Sequence, residues 1–144
     1  MNLSFSLYRL QKIDTQRQKI TQRIAQSEAE LAADEAIQAC LQLKDQAEKK
    51  LQQAQSKLRD VAQQVAAKRM KLELNQNQLF GGKIRNPKDL QDLQAEADFL
   101  RKSIQELEDL QLEVMLELEA AQQGLEQAEQ AYQQCLSNKA TQGS

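Results

Sequence analysis

From Leu90 to Cys135 apolar positions return at alternating steps of three and four: Leu90, Leu93, Ala97, Leu100, Ile104, Leu107, Gln111, Val114, Leu118, Ala121, Leu125, Ala128, Tyr132 and Cys135. A mean step of 3.5 holds these side chains on one seam of a helix, and a seam that long requires a second helix against it. Gln111 is its one polar member. The same alternation runs through Leu51, Ala54, Leu58, Val61, Val65, Lys68, Leu72, Asn75 and Leu79, and extends back more loosely through Leu41 and Ile37. Leu3, Leu7, Leu10, Ile13, Ile20 and Ile24 keep helical spacing in a shifted phase, which makes 31–37 the place for helix 1 to bend.

Composition closes off the alternatives. Four Gly, one Pro and 3% aromatic residues in 144 are too few for a turn-rich sheet protein, and the abundant Gln, Glu, Ala, Leu and Lys favour helix. Such polarity is compatible with disorder, but a disordered chain lacks a sustained apolar period.

One segment punctuates the pattern, Phe80-Gly81-Gly82-Lys83-Ile84-Arg85-Asn86-Pro87-Lys88-Asp89. Gly81, lacking a Cβ, is expected to take the left-handed conformation that ends a helix, with Gly82 beside it in the turn. Asn86 suits a helix N-cap, Pro87 the first helical position, and Asp89 the positive end of the helix dipole. The expected fold is all-α, a long antiparallel two-helix coiled-coil hairpin over 1–137. Helix 1 is placed at about 3–79, the turn at 80–86 and helix 2 at about 87–137, with a disordered tail over 138–144. Counting outward from the turn pairs residues whose numbers sum to about 167, which sets Val61 near Glu106 and Leu72 near Ala95.

Helix 2 on this reading is roughly 75 Å long and an unbroken helix 1 roughly 115 Å. The stripe Leu3, Leu7, Leu10, Ile13, Ile20 and Ile24 is then left without a partner helix, and the expectation is a homodimer or a partner contact through it.

The residues resemble a bacterial family of zinc-ribbon proteins built on a coiled-coil hairpin. Leu7-Tyr8-Arg9-Leu10-Gln11-Lys12-Ile13-Asp14 is similar to the family's L-x-x-L-Q-x-I-D. Leu79 to Leu90 is similar to L-Y-S-G-K-[VI]-x-N-P-K-E-L, and Leu93-Gln94-Ala95-Glu96 follows it as L-Q-x-E. Leu107-Glu108-Asp109 and Met115-Leu116-Glu117-Leu118-Glu119 resemble later family segments. The resemblance implies nucleic-acid binding, or binding to the alternative sigma factor sigma-54 or flagellar messenger RNA. Family members close with a ribbon that holds zinc through two C-x-x-C pairs. Here Cys40 and Cys135 stand alone, on different helices and about eight positions out of register by the count above, so no metal site is expected. The chain is then either a hairpin fragment or a variant without the ribbon. The two cysteines read as small buried hydrophobes.

For catalysis the inventory is poor, because His is absent and no Ser or Cys sits in a nucleophile motif. Gly81-Gly82-Lys83 lacks the strand and G-K-[ST] ending of a phosphate loop and reads as a helix cap and turn. The carboxylates from Glu106 to Glu129 read as a solvated face, with Lys44, Lys49, Lys50, Lys57 and Arg59 as their expected counterparts. No enzyme activity, catalytic residue or cofactor is expected.

A net charge of -2 gives no global pull towards polyanions, so such contacts must be local. Lys68, Arg69, Lys71, Lys83, Arg85 and Lys88 gather at the loop end, with Phe80 as the nearby aromatic, expected to pack under the loop. This tip is either a solvated end or a contact for RNA phosphates or an acidic protein surface. Ile84 is expected to plug the gap between the helix ends. The start of the chain has neither the apolar run of a membrane span nor the order of a signal peptide, and the chain reads as cytoplasmic. Two functions stay open: an adaptor that binds a macromolecular partner, protein or RNA, through its tip or N-terminal stripe, and a purely structural spacer or dimerisation arm.

Overall fold

The computed structural model describes residues 3–142. It contains two α-helices, α1 (Leu3–Phe80) and α2 (Pro87–Gln142), and no strand among the described residues. They form the two arms of an all-α hairpin. Two compact units divide it: one comprises 46–127 with the turn, the other 1–45 with 128–144.

Within the turn-bearing unit the core lies along the two seams. Ala54, Val61, Val65, Ala97, Leu100, Ile104 and Val114 are its buried apolar residues. Every seam position from Leu90 to Leu125 and from Leu51 to Leu79 is at least half-buried, while the positions between them are almost all exposed. The period of 3.5 therefore set which faces meet.

It did not set the register. Val61 and Val65 cluster with Val114, flanked by Leu58 and Leu107. Val114 is about two turns beyond Glu106, the partner expected for Val61. Lys57 pairs with Glu117 at 3.2 Å, a comparable distance along. Counting from the turn assumed helix ends that lie level and side chains that project straight across. Side chains lean towards their own helix N-terminus, so in an antiparallel pair the residues that touch have higher summed numbers than the backbones that face.

Close to the turn the two registers converge, where Asn75 Nδ2 donates to the Leu93 carbonyl at 3.0 Å. Asn75 is the buried polar residue of the seam, and its Oδ1 has no hydrogen-bond partner. A buried amide in a coiled-coil seam lowers stability and fixes register. Asn75→Leu should therefore raise stability by about 1 kcal/mol, seen as a higher urea midpoint, while loosening alignment. Distances between spin labels at Lys57 and Glu117 should then broaden; an unchanged narrow distribution would show that Asn75 does not hold the register.

The turn departs from expectation in its glycines. Gly82 takes the left-handed conformation, φ 71°, one residue later than expected, because α1 continues through Phe80. Gly81 is needed for space, since a Cβ there would sit 2.6 Å from the Asn77 carbonyl oxygen. Asn86 Oδ1 accepts from the Lys88 backbone N–H at 3.0 Å, and its carbonyl accepts from the Leu90 N–H at 3.0 Å, so Asn86 caps α2 with Pro87 first in the helix. Asp89 lies in the first turn of α2.

In the second unit α2 runs to Gln142, where a disordered tail from 138 was expected. Lys139 forms an ion pair with Asp34, Gln134 Nε2 donates to Asn138 Oδ1 at 3.1 Å, and Thr141 Oγ1 donates to the Ser137 carbonyl at 3.0 Å. These contacts carry the last turn beyond the end of the apolar pattern. Gly143 and Ser144, the end of the expected tail, lie outside the described residues. No described helix is long and apolar enough to cross a membrane.

Candidate functional site

The turn end is where the basic residues gather, but the structure separates them into two sets. Lys68 is half-buried; its Nζ donates to Ser103 Oγ at 2.7 Å and lies 5.9 Å from the centre of the Phe99 ring. Arg69 is ion-paired with Glu108. Both are engaged in holding α1 to α2. Lys71, Lys83, Arg85 and Lys88 are exposed and form no ion pair with any described residue. Four of the six cations thus have no side-chain hydrogen bond, ion pair or ring contact among the described residues, and the other two are engaged between the helices.

Phe80 stands among them. It was expected under the loop, yet it is 80% exposed. It follows Leu79, the last seam residue of α1, and a step of one carries a helical side chain about 100° round the axis, away from the seam. Ile84, by contrast, is half-buried. An exposed ring beside unpaired cations is the composition that stacks on bases and holds phosphates. Met70 and Leu74, one turn apart on α1, add exposed apolar surface in the same unit. Their lack of seam spacing is the signal in the sequence that would have found them.

The expected counterparts of the α2 carboxylates sort differently. Lys57 pairs with Glu117 as a partner from that group, whereas Lys44 lies over the Tyr132 ring, 5.3 Å from its centre. The Lys57 and Glu117 side chains are both more than half exposed, so their pairing contributes at most about 1 kcal/mol.

In the other unit α1 carries the apolar stripe. Residues 3–32 are exposed throughout, with Leu3 at 82%, Leu7 at 57% and Ile24 at 54%, and Leu10, Ile13 and Ile20 in the same state. Phe5 and Tyr8 extend this surface and were missed because they fall outside the stripe's spacing.

The pattern of the CT398-like coiled coil hairpin domain matches residues 10–143. The chain belongs to this family. The match takes in both seams, the turn and the paired ends, so the CT398-like hairpin describes nearly the whole chain rather than one arm of it. No curated protein and no solved structure shows a significant match to the chain.

Zinc, implied by the resemblance to zinc-ribbon hairpins, finds no fitting ligand set in this CT398-like chain. Among the described residues no group of three or more His, Cys, Asp or Glu is placed to hold a metal ion. Two thiols are half of what a structural zinc takes. The two cysteines nevertheless do not stand apart. Each is half-buried, and the Cys40 thiol is pushed up from its ordinary value, by its interaction with the Cys135 side chain first, burial second and electrostatic repulsion from Cys135 third. The eight-position mismatch expected from the sequence is corrected by the register actually adopted in this unit, where Asp34 meets Lys139 and Lys44 meets Tyr132.

Proposed function

We propose that this hairpin is a non-enzymatic adaptor that binds a polyanionic macromolecule through its turn. The observation that carries the proposal is Phe80, 80% exposed in a unit where Lys71, Lys83, Arg85 and Lys88 have no intramolecular ion pair among the described residues. An aromatic ring left in water, with cations free to meet phosphates or carboxylates, is a surface whose interactions are incomplete within the chain. The resemblance to zinc-ribbon hairpins supports an RNA or a transcription-associated protein as the partner class, in a cytoplasmic setting. The site would comprise Phe80, Lys83, Arg85 and Lys88, with Lys71 flanking them, while Lys68 and Arg69 hold the helices that present it.

Retention on immobilised single-stranded RNA over a series of salt concentrations tests this. Each phosphate contact adds about 0.7 to the slope of log affinity against log salt, so exchanging Lys83, Arg85 and Lys88 for Ala should lower that slope by about two. Phe80→Ala should weaken retention with little change of slope, since stacking is not ionic; the expected loss is about 1–3 kcal/mol. Salt-independent retention, or none, would remove RNA as the partner. A stable dimer that retains neither RNA nor acidic protein would instead favour the second function, a spacer or dimerisation arm, for which the exposed stripe at the start of α1 is the supporting observation.

A further inference from the structure

In the unit formed by 1–45 and 128–144, the register set by the Asp34–Lys139 and Lys44–Tyr132 contacts places Cys40 opposite Cys135, and the influence of Cys135 on the Cys40 thiol agrees with it. Their proximity rests on more than one contact. On one side Lys44 lies over the Tyr132 ring; on the other Asp34 pairs with Lys139. These cross-helix contacts bracket the cysteines and align their turns. The α1 surface next to them is made of Ala29, Ala32, Ala33 and Ala36, which line an open groove with Cys135, Asn138 and Lys139. Small side chains let helices approach towards the near end of the usual 8–10 Å range of axial separations, roughly the approach needed to bring Cα atoms within disulfide reach. Both thiols are half-buried, hence reachable by a small reagent, and neither is in a disulfide.

We propose that Cys40 and Cys135 form a thiol-disulfide exchange site, closed by a small-molecule disulfide of the oxidised-glutathione class into an intramolecular bond between α1 and α2. In the first step one protein thiolate attacks the reagent's S–S bond. That bond breaks, a mixed disulfide forms, and one reagent thiolate leaves and takes up a proton. In the second step the other cysteine, as thiolate, attacks the protein-side sulfur of the mixed disulfide. The mixed bond breaks, the Cys40–Cys135 bond forms, and the second reagent thiolate leaves and is protonated. Two protein thiols are oxidised and one reagent disulfide is reduced to two thiols. The raised value at Cys40 keeps that sulfur protonated to higher pH, so closure is slow near neutrality and accelerates as pH rises. The product ties the last turns of α2 to α1 at a place where α1 offers alanines that are exposed or half-buried and the remaining contacts are an exposed ion pair and a cation on a ring. Oxidation would thereby convert a weakly held helix end into a fixed one.

The full chain is equilibrated with a mixture of reduced and oxidised glutathione, quenched in acid and analysed by intact mass and peptide mapping, natively and in urea. In the native chain the ratio of Cys40–Cys135 bond to doubly glutathionylated chain should exceed that in urea by at least about tenfold, because the fold supplies the effective concentration that an open chain lacks. Cys40→Ser and Cys135→Ser should each give a single mixed disulfide and no internal bond. Equal ratios in the two solvents, or a native product made of mixed disulfides or of cross-linked dimers, would overturn the proposal. Far-UV circular dichroism of both variants shows whether the helices persist, so that loss of the bond is not mistaken for loss of the fold.

Discussion

Val114→Asp should abolish cooperative folding of the turn-bearing unit, whereas Leu116→Asp, two residues along the same helix, should leave it nearly unchanged. Val114 is 1% exposed and packs with Val61 and Val65, bordered by Leu58 and Leu107. No polar group of that cluster can receive a carboxylate. Placing one there costs on the order of several kcal/mol, against a net stability typical of small domains of about 5–15 kcal/mol. Leu116 is 66% exposed and off the seam, where substitutions usually change stability by about 0.5 kcal/mol or less. Val114→Ala should fall between them, at about 2 kcal/mol, since it removes two methyl groups and leaves a small cavity. Urea unfolding followed by far-UV circular dichroism separates the three. Equal losses for Val114→Asp and Leu116→Asp would mean that the observed seam is not the core.

The acid variant also has a pH signature. A carboxyl forced into that cluster has a folded-state pKa above its unfolded value of about 3.9. The penalty is then absent below about pH 4, where both states carry the proton, and grows as pH rises towards the folded value. Relative to Val114→Asn, which is polar without titrating, Val114→Asp should lose stability across that interval.

This contrast shows how much of the molecule a sequence of this kind discloses. The seam was legible because burial in a two-helix structure depends on one angle around each helix, and a period of 3.5 records that angle over many turns. The sliding coordinate along the axis leaves no such trace. Val61 is apolar whether it meets Glu106 or Val114, and the choice is made by what the other helix offers at each step. Cys40 and Cys135 were misjudged for the same reason: counted from the turn they miss one another, and the contacts of Asp34 with Lys139 and Lys44 with Tyr132 bring them together. Phe80 was misjudged for a different one. An aromatic residue at a helix end is assigned inward by its hydrophobicity, but its angle sets it one step off the seam, and it is exposed while Ile84 is half-buried. Among the basic residues, the sequence showed a cluster without showing that Lys68 and Arg69 are engaged with Ser103 and Glu108.

The N-terminal stripe should make the full chain self-associate, and a chain beginning at Leu31 should not. Leu3, Leu7, Leu10, Ile13, Ile20 and Ile24 are 45–82% exposed, and Phe5 and Tyr8 are 60% and 63% exposed. Covering a Leu or Ile side chain contributes roughly 1.5–3 kcal/mol when it starts fully exposed. With about half of each surface still to be covered, six such side chains on each of two copies supply on the order of 10–15 kcal/mol. Association costs an estimated 4–15 kcal/mol in lost translational and rotational freedom, so what remains is at most about 11 kcal/mol, a Kd on the order of 10 nM at best and micromolar or weaker over most of that range. A two-fold arrangement suits the stripe, because a surface apposed to its own copy presents the same apolar side chains from both sides. Sedimentation across a concentration series covering the micromolar range should therefore show a monomer-dimer equilibrium for the full chain. Ile20→Glu with Ile24→Glu should shift it to monomer while sparing the turn-bearing unit, which shares none of these residues. A full chain that stays monomeric at the highest concentration, or a dimer that survives both the double substitution and removal of residues before Leu31, would show that the stripe does not join two copies.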